Sequence, residues 1–337
     1  MTAPIDAGRP LRSGKIPVDL LADLLSGLPA APPEVRLSPH VGEDACAIEI
    51  PGGILVAATD PITLSSAEIG RLAVIVNAND LAVTGARPRW FLAVILVPPG
   101  TDESVVRSLF AAAQRALVEV GAVLVGGHTE VTPVVTRPVV VGQMLGLAEG
   151  DRFVATGGVV PGNAVVQVGP APIEGAAVLA QEAAGRLGGV DAAVLAAACA
   201  AFDRPGISVV EPALLAARLG ATALHDPTEG GLAAGLHELA DVSGVRIRID
   251  RLAVLWFEPG VAVCRALGAD PWSTLASGTL LSTFPAETVE EAVRALAESG
   301  RAAAVIGRAE PGAGVCDVDG RSIRRCDRDE VDRILLE

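Results

Sequence analysis

The chain has 337 residues, which is longer than a single core usually grows, so two domains are predicted. Aromatic residues make up only 3% of the chain and apolar residues 50%, so the core is expected to be packed from Ala, Val and Leu. Asp and Glu number 40 against 26 Lys and Arg. This acidic balance argues against a binder of nucleic acid or of an anionic membrane surface.

The location is predicted to be cytoplasmic. The N-terminus lacks a charged segment followed by an apolar run, so no signal peptide is expected. The Ala/Val-rich stretches are interrupted well before 18 residues, which predicts no membrane span. The five cysteines are odd in number and scattered, as expected of a reducing compartment without disulfides or a zinc knuckle.

The first half alternates predicted helices and strands. A helix is expected at 17–28, a β-hairpin at 46–50 and 54–58, a helix at 67–84, a strand at 90–97, a helix at 101–120, and strands from 123 and over 137–147. This alternation indicates an α/β or α+β fold. The pattern restarts after 149–151, so the predicted domains are 1–150 and 151–337.

The second half is richer in alanine. Helices are predicted at 174–187, 191–202, 208–219, 228–242, 287–299 and 327–335, and strands at 164–168, 223–225, 245–249, 279–283 and 303–306, with a hairpin near 314–322. Asp226 directly follows the short predicted strand at 223–225.

The stretch from Val123 to Glu130 reads as a buried strand that ends in a Gly-Gly pair and polar residues. Glycines allow a sharp turn or close approach to a ligand, and ligands often bind where strands end. A solvated turn explains the same residues equally well, so both interpretations stay open for this segment alone.

Carboxylates stand at the ends of several other apolar elements, and Asn77, Asn79 and Asp80 interrupt an apolar helix, where polar groups need partners. Each alone is typical of a cap or turn. Together they predict a Mg²⁺ site, since clustered carboxylates repel unless a cation lies among them. The predicted metal ligands are Asp44, Asp60, Asp80, Glu130 and Asp226. The usual glycine-rich nucleotide motifs and the nucleophile elbow are absent.

Six motifs in order carry a family resemblance over about residues 15–310. They are Gly-Glu-Asp-Ala (42–45), Thr-Asp-Pro-Ile (59–62), Asn-Ala-Asn-Asp-Leu-Ala-Val-Thr-Gly-Ala (77–86), Gly-Gly-His-Thr-Glu (126–130), Asp-Pro-Thr-Glu-Gly-Gly-Leu (226–232) and Ser-Gly-Thr-Leu-Leu (277–281). The chain resembles the aminoimidazole-ribonucleotide (AIR) synthase-related, PurM-like superfamily, nearest its hydrogenase-maturation HypE branch. The resemblance implies a PurM-like two-domain fold: an N-terminal domain whose four-stranded sheet forms a barrel-like homodimer seam, and an α/β C-terminal domain.

The resemblance also implies an enzyme that uses ATP and Mg²⁺ to phosphorylate a carbonyl, amide or phosphate oxygen of a small substrate. By this resemblance, Asp44, Asp60, Asp80 and Asp226 are expected to bind the metal. Many relatives carry Asp where this chain has His128, so Glu130 is expected to be the substitute ligand. The predicted nucleotide contacts are Asn79, Gly126, Gly127, Thr129, Thr228, Gly230 and Gly231. The predicted catalytic residues are His128 and Lys15, and for both a non-catalytic explanation stays open: a braced turn for the histidine and general arginine bias for the lone lysine.

Departures from the branches keep the substrate open. The chain ends without the terminal cysteine of the HypE branch, which disfavours cyanation chemistry, and Asp226 does not begin the motif of the thiamine-phosphate kinase branch. Two alternatives therefore stand beside the enzyme: a non-catalytic dimeric ATP-binding maturation protein, and a small-molecule kinase.

Overall fold

Two mixed β-sheets with packed helices form the described part of the chain, which is Leu11 and residues 15–63, 68–148 and 152–336 of this computed structural model. The first half contains α1 (Val18–Ser26), β1 (Val35–Leu37), β2 (Cys46–Ile50), β3 (Gly53–Ile62), α2 (Ile69–Ala82), β4 (Ala86–Val97), α3 (Glu103–Val120), β5 (Val123–Val131) and β6 (Val139–Ala148). Its strands lie in the order β1-β2-β3-β6-β4-β5. The predicted hairpin is β2–β3, and β1 pairs with β2. The sheet therefore has six strands among the described residues instead of the expected four.

Helix α2 is the centre of the first half. It is buried on all sides rather than along one stripe, which is typical of a core helix. It packs on β3, β4 and β6, on α3, and on α6 of the second half. The polar residues that the sequence places on α2 are therefore deep inside the protein.

Strand β5 differs from its prediction in two ways. It was expected to be buried and to end at the glycine pair, but it continues through both glycines to Val131 and is exposed along its whole length. The reason is its place at the sheet edge, where it pairs only with β4, in parallel. Its apolar residues therefore do not indicate a buried core strand.

The second half contains β7 (Ala164–Val168), α4 (Glu174–Glu182), α5 (Ala192–Cys199), α6 (Val210–Arg218), β8 (Ala223–His225), α7 (Gly231–Ser243), β9 (Arg246–Ile249), α8 (Glu258–Leu267), β10 (Leu280–Phe284), α9 (Val289–Glu298), β11 (Ala303–Glu310), β12 (Gly314–Asp317) and α10 (Glu330–Leu336). Short 3₁₀ turns lie at Thr156–Gly158, Ala184–Arg186 and Pro271–Ser273, and a π turn at Phe202–Gly206. The strand order is β12-β9-β11-β7-β10-β8. Helix α8 and strand β1 were not predicted, and β12 pairs with β9 in parallel instead of forming a full hairpin.

One edge of this second sheet gathers several loops. Strands β7 and β8 both run antiparallel to β10, with Val168 opposite Leu280 and His225 opposite Leu281. The ends of β7 and β8 and the start of β10 therefore lie side by side. The loops that follow or precede them, 169–173, 226–230 and 276–279, come together at this edge.

The two halves share one continuous apolar core that includes residues of α2, α6 and both sheets. Arg87 and Glu211 add an ion pair of 2.9 Å across the junction. The predicted domain boundary falls on residues 149–151, which lie outside the described residues, and it stays a prediction.

In the described ranges no single helix has both the length and the apolar character to cross a membrane. One bent pair, Ala192–Cys199 with Phe202–Arg218 at 64°, meets the requirement by length and composition when its two segments are joined.

Candidate active site between the two domains

Four aspartates from both halves meet at the junction, and we call Asp44, Asp60, Asp80 and Asp226 the acidic cluster. They come from separate elements: the loop before β2, strand β3, helix α2 and the end of β8. They lie close enough for their charges to interact: after burial, the charges of Asp60, Asp226 and Asp44 raise the pKa of Asp80. The structure thus brings together four of the five predicted metal ligands.

Asn77 fixes the position of Asp60. Its side-chain oxygen accepts the Asp60 N–H at 2.8 Å, and its amide nitrogen donates to the Asp60 carbonyl at 3.2 Å and to the Ala73 carbonyl at 2.8 Å. Asp80 lies three residues further along α2, on the same face as Asn77. Helix α2 therefore holds β3 with one side chain and places a carboxylate beside it with the next.

Asp44 reaches the second half through a tight loop. Gly42 has a φ of +87°, and a Cβ there would lie 2.6 Å from a methyl carbon of Val242 on α7, so the position needs glycine. The same loop is held by the Thr156 N–H, which donates to Glu43 at 3.3 Å. Asp44 Oδ2 then lies 3.2 Å from His225 Nδ1, although neither atom has a hydrogen-bond partner of good geometry.

His225 and Glu238 form a buried ion pair behind the acidic cluster. His225 Nε2 lies 2.8 Å from Glu238 Oε2, and Arg325 donates to the other Glu238 oxygen at 3.0 Å. Burial alone lowers the pKa of His225, but the Asp44 and Glu238 carboxylates raise it well above the usual value, so the ring is cationic. Burial opposes ionisation of Glu238, yet His225, Lys15 and Arg325 lower its pKa to about 2.

The carboxylates of the acidic cluster resist ionisation. Burial and then mutual repulsion raise the pKa of Asp80 and of Asp226 well above the usual value. Burial likewise raises the pKa of Asp60 to about 6, against the opposing effect of Lys15. Both oxygens of Asp226 and one of Asp44 are buried without a hydrogen-bond partner among the described residues. Buried carboxylates in this condition suit a bound cation.

The cluster is not a complete metal cage. Among the residues that the structure describes, no three His, Cys, Asp or Glu side chains already converge on one metal position. Mg²⁺ usually takes one or two carboxylates together with water and substrate phosphates. The oxygens of Asp44, Asp60, Asp80 and Asp226 are the groups that would hold it.

Lys15 lies at the mouth of this cluster. Burial lowers the pKa of its ammonium, but Glu238, Asp44, Glu229 and Asp60 raise it overall. Its backbone N–H donates to the Glu229 carboxylate. Because the residue as a whole keeps an exposed surface, we place it at the rim and not in the interior. The structure thus brings the lone lysine to the predicted site.

Two predicted nucleotide contacts are already engaged within the protein. The Asn79 amide donates to the Ile207 carbonyl at 2.9 Å and accepts the Val209 N–H at 2.8 Å, so it joins the two halves. The Gly230 N–H donates to the buried Asp329 carboxylate at 2.7 Å, so this amide is not free for a phosphate. Both residues support the site from behind.

The remaining residues of the 226–232 motif shape its turn. Thr228 donates to the Asp226 carbonyl at 3.3 Å, and its own carbonyl accepts the Gly231 N–H at 3.1 Å. Gly231 has a φ of +61°, and a Cβ would lie 2.5 Å from the Thr274 carbonyl oxygen. The double glycine is therefore required by the turn and by close packing against residues 272–274.

The predicted residues of β5 lie apart from the acidic cluster within one chain. Strands β6 and β4 separate β5 from β3, which is roughly 14 Å at the usual strand spacing. His128 and Glu130 are exposed and lie 3.3 Å from each other, and Thr129 is exposed between them. A Cβ on Gly127 would meet the Ala93 carbonyl oxygen at 2.0 Å, so strand pairing accounts for that glycine; at Gly126 a Cβ would make ordinary contact.

Sequence reasoning missed His225, Glu229 and Glu238. His225 ends a short apolar strand directly before Asp226, and that adjacency was the available signal. Glu229 lies in the 226–232 motif, in which only Asp226, Thr228 and the two glycines were predicted to be functional. Glu238 lies in the middle of α7, where a glutamate normally faces solvent, and its sequence gives no sign of burial.

Comparisons with known proteins match this arrangement. The AIR synthase-related N-terminal domain matches residues 42–148 and the C-terminal domain residues 160–318. Carbamoyl dehydratase HypE of Rhodobacter capsulatus is 30% identical over 308 residues, which cover 88% of this chain and 86% of that protein. Thiamine-monophosphate kinase of Corynebacterium glutamicum is 32% identical over 224 residues, 64% of this chain and 65% of the kinase. The crystal structure of hydrogenase maturation protein HypE in complex with ATP superposes with a TM-score of 0.70 at 25% identity, covering 86% of this chain and 90% of that one.

Proposed function

Because the chain belongs to the AIR synthase-related family, we propose that it binds Mg²⁺-ATP at the acidic cluster and uses it to activate a small substrate. The observation that carries the proposal is the set of buried aspartate oxygens without partners at the junction of the two halves. Carboxylates this crowded need a cation, and triphosphate oxygens complete the shell that Mg²⁺ requires. A homologous HypE structure, described as a complex with ATP, supports the choice of nucleotide.

The bound nucleotide would supply a phosphoryl group, which turns a poor leaving oxygen of the substrate into a good one. The residues of this chain would position the metal and the nucleotide and neutralise charge on the phosphate oxygens. Asp60 is fixed by Asn77, and Asp44 by its loop and by the charge of His225. Lys15 brings a positive charge to the mouth, suited to a phosphate oxygen. Asn79 ties α2 to the second half and so helps to fix the aspartates of the two halves relative to each other.

We propose that the acceptor is a carboxamide-type carbonyl oxygen. The carbamoyl dehydratase relatives, by their name, act on a carbamoyl group, and they match most of this chain. The thiamine-monophosphate kinase relative favours a second candidate, a kinase of a small phosphate ester, although it matches a shorter part of the chain. The two differ in product: the kinase accumulates a diphosphate of its substrate, whereas the activating enzyme releases inorganic phosphate.

The test is ATP turnover by the purified chain with Mg²⁺ and a panel of small carboxamides and phosphate esters. We expect ADP and inorganic phosphate in the presence of a carboxamide, and no turnover in folded Asp80→Asn. Asp319→Asn, an exposed aspartate paired with Arg321, is the matched control and should retain activity. Turnover that persists in Asp80→Asn would refute the assignment of the acidic cluster.

We propose further that two copies pair through β5. This edge strand exposes Val123, Leu124, Val125 and Val131, and unpaired edges of this kind favour association with another chain. Pairing would place His128 and Glu130 in the seam. Leu124→Lys should produce monomers in sedimentation analysis, whereas Leu252→Lys, at an exposed leucine of the second half, should not. A wild-type chain that is monomeric at micromolar concentration contradicts this proposal.

We also propose a cytoplasmic location, because the five cysteines are unpaired thiols in the structure and none is arranged as a disulfide.

A further inference from the structure

The outer strands of the second sheet, β9 and β12, present polar side chains on one of their two faces. Helix α7 packs on both strands, and the apolar cluster on that side includes Ile247, Ile249 and Val165. Helix α9 packs on β7 and β11 from the opposite side, where Val166 belongs to the main core. On this α9 side, the strands beyond β11 carry part-exposed polar side chains.

The strand register places three arginines on the α9 side. Arg308 of β11 lies directly opposite Arg248 of β9, and Arg246 lies opposite Glu310. Since side chains alternate along a strand, Arg246 and Arg248 point to the same face. Arg308 is paired on its other side with Ala164, which belongs to the main core. We call Arg246, Arg248 and Arg308 the basic face.

One carboxylate stands among these three guanidinium groups. Glu310 forms an ion pair of 2.9 Å with Arg248. The hydrogen bond from Arg248 lowers the pKa of Glu310, and the charges of the other two arginines lower it further. Arg308 is exposed, and Arg246 donates to a backbone carbonyl, that of Ala313, at 3.3 Å. The basic face therefore has more positive charge than Glu310 can neutralise.

A second carboxylate near the basic face is engaged elsewhere. The charge of Asp317 also acts on Arg248. Asp317 is paired in register with Ile249, however, so its side chain points to the α7 side. There it accepts a bond of 2.8 Å from Arg251 and is 2% exposed. An excess of positive charge thus stays on the basic face, although the chain as a whole has a formal net charge of −14.

This arrangement is unfavourable for the chain by itself and suits an acidic partner. Like charges directly opposite each other on neighbouring strands destabilise a sheet, as Arg248 and Arg308 do here. Guanidinium groups bind carboxylates through paired hydrogen bonds, and arginine is enriched at protein interfaces. Small ligands usually bind in concave sites, whereas this surface is an open sheet face. A protein segment is therefore favoured over a small anion.

Exposed valines border the basic face. Val305 precedes Arg308 on β11 and, through the bulge between them, points to the same side; it is 43% exposed. Val318 follows β12 and is 56% exposed, and its carbonyl accepts a bond of 3.4 Å from Arg248. A matching partner therefore offers apolar side chains next to its carboxylates.

We propose that the basic face is a docking surface for an acidic segment of a partner protein, in which carboxylates alternate with apolar residues. The carboxylates bind Arg308 and Arg246, and the apolar side chains contact Val305 and Val318. Strands β9 and β12 lie at the opposite edge of the sheet from β8, which leads to Asp226. The docking surface is therefore separate from the proposed nucleotide site.

The first test measures binding of a fluorescein-labelled peptide of alternating glutamate and valine to the full-length chain by fluorescence anisotropy. The control peptide has glutamine in place of glutamate. We expect the acidic peptide to bind at least about tenfold more tightly, because each charge-assisted contact is worth about this factor. Added NaCl should weaken its binding, since salt screens exposed charges. Equal affinities of the two peptides overturn the proposal.

Variants locate the contact. Arg308→Glu should weaken binding of the acidic peptide at least about tenfold, because it removes a charge-assisted contact and adds repulsion. Glu310→Gln removes the carboxylate that competes for Arg248 and should strengthen binding. Arg115→Glu, the same substitution at an exposed arginine of α3, is the matched control and should leave the affinity nearly unchanged. An unaltered affinity in Arg308→Glu overturns the proposal.

Two native cysteines report the position of the peptide. Cys316 of β12 lies beside Arg248, and Cys46 lies in the first half; both are part-exposed free thiols. We expect the bound peptide to slow alkylation of Cys316 by iodoacetamide, read by mass spectrometry, and to leave the rate at Cys46 unchanged. Equal rates at Cys316 with and without the peptide contradict this location.

Two other occupants give different results. Binding to vesicles that contain phosphatidylserine, if lost in Arg308→Glu, would identify a membrane surface as the occupant. Self-association that is lost in the same variant would identify a second copy of the chain. Either result overturns the assignment to an acidic partner segment.

Discussion

The junction between the two halves and the edge strand β5 both carry acidic side chains next to apolar residues. These side chains are buried at the junction and exposed on β5. At the junction, Asp80 and Asp226 are buried, surrounded by like charges and held against ionisation. On β5, Glu130 is half-exposed and has His128 as its partner. A carboxylate is therefore costly to ionise at the junction but not on β5.

This difference indicates what each region binds. The proposed Mg²⁺ would neutralise the buried carboxylates without partners, and its nucleotide would bind through the metal. The exposed apolar residues of β5 suit the proposed contact with a second copy of the chain. The contrast predicts that substitutions at the junction change stability and nucleotide binding, whereas substitutions on β5 change association.

The largest expected effect is at the ion pair behind the acidic cluster. Glu238→Ala removes the hydrogen-bonded partner of the buried, cationic His225 and leaves only Asp44 near it, which should lower the free energy of unfolding by about 3–5 kcal/mol. Thermal and urea unfolding measure the loss. Glu103→Ala, at an exposed pair with Arg107, is the control and should lose far less. Similar losses in the two variants would show that the Glu238 pair is not buried as described.

The next effect depends on pH and concerns Glu174. Burial raises its folded-state pKa to about 7, so its protonation stabilises the fold fully below the ordinary value of 4.5, and this contribution is lost as the pH rises through 7. Glutamine imitates the protonated form. Glu174→Gln should therefore be more stable than the wild type at about pH 8.5, by up to about 3 kcal/mol, and nearly equal at about pH 4. An equal difference at both pH values contradicts this.

A third effect separates stability from binding at the acidic cluster. Asp80→Asn removes one of several repelling carboxylates, so the unliganded chain should melt at a higher temperature near neutral pH. The same variant should lose the stabilisation that Mg²⁺-ATP gives the wild type. Melting curves with and without Mg²⁺-ATP measure both, with Asp319→Asn as the control. A less stable unliganded variant, or one still stabilised by Mg²⁺-ATP, is the contrary result.

The smallest effect is expected on β5. Glu130→Gln at low protein concentration should change the free energy of unfolding by no more than about 0.5 kcal/mol, because the side chain is half-exposed. The change should grow with concentration as the seam forms, since association stabilises by mass action. A large change that is independent of concentration would show that Glu130 supports the fold of the single chain.

The sequence was sufficient for most elements and for the grouping of four carboxylates. Helix α2 and the β2–β3 hairpin were predicted from apolar runs and turn glycines, and the ordered motifs identified the family. It was insufficient where burial depends on tertiary position. The residues 123–125 are apolar whether a strand is central or at an edge, so β5 was expected to be buried and is exposed.

The same limit applies to individual side chains. Asn79 and Gly230 were predicted to contact the nucleotide, yet each is used inside the protein by a partner more than 90 residues away in the chain. Glu174 drew no attention, because nothing local distinguishes a buried glutamate at a helix start from an exposed one. Its burial depends on tertiary structure, which brings the loop that carries Ser277 against it.

The most direct measurement is a crystal structure of the chain grown with ATP and Mn²⁺, whose anomalous scattering marks the metal. We predict a metal peak between the two halves, bound by carboxylates of the acidic cluster and by the triphosphate, with Lys15 near a phosphate oxygen. A metal bound by Glu130 alone, or a nucleotide held away from Asp60, Asp80 and Asp226, would contradict the central claim.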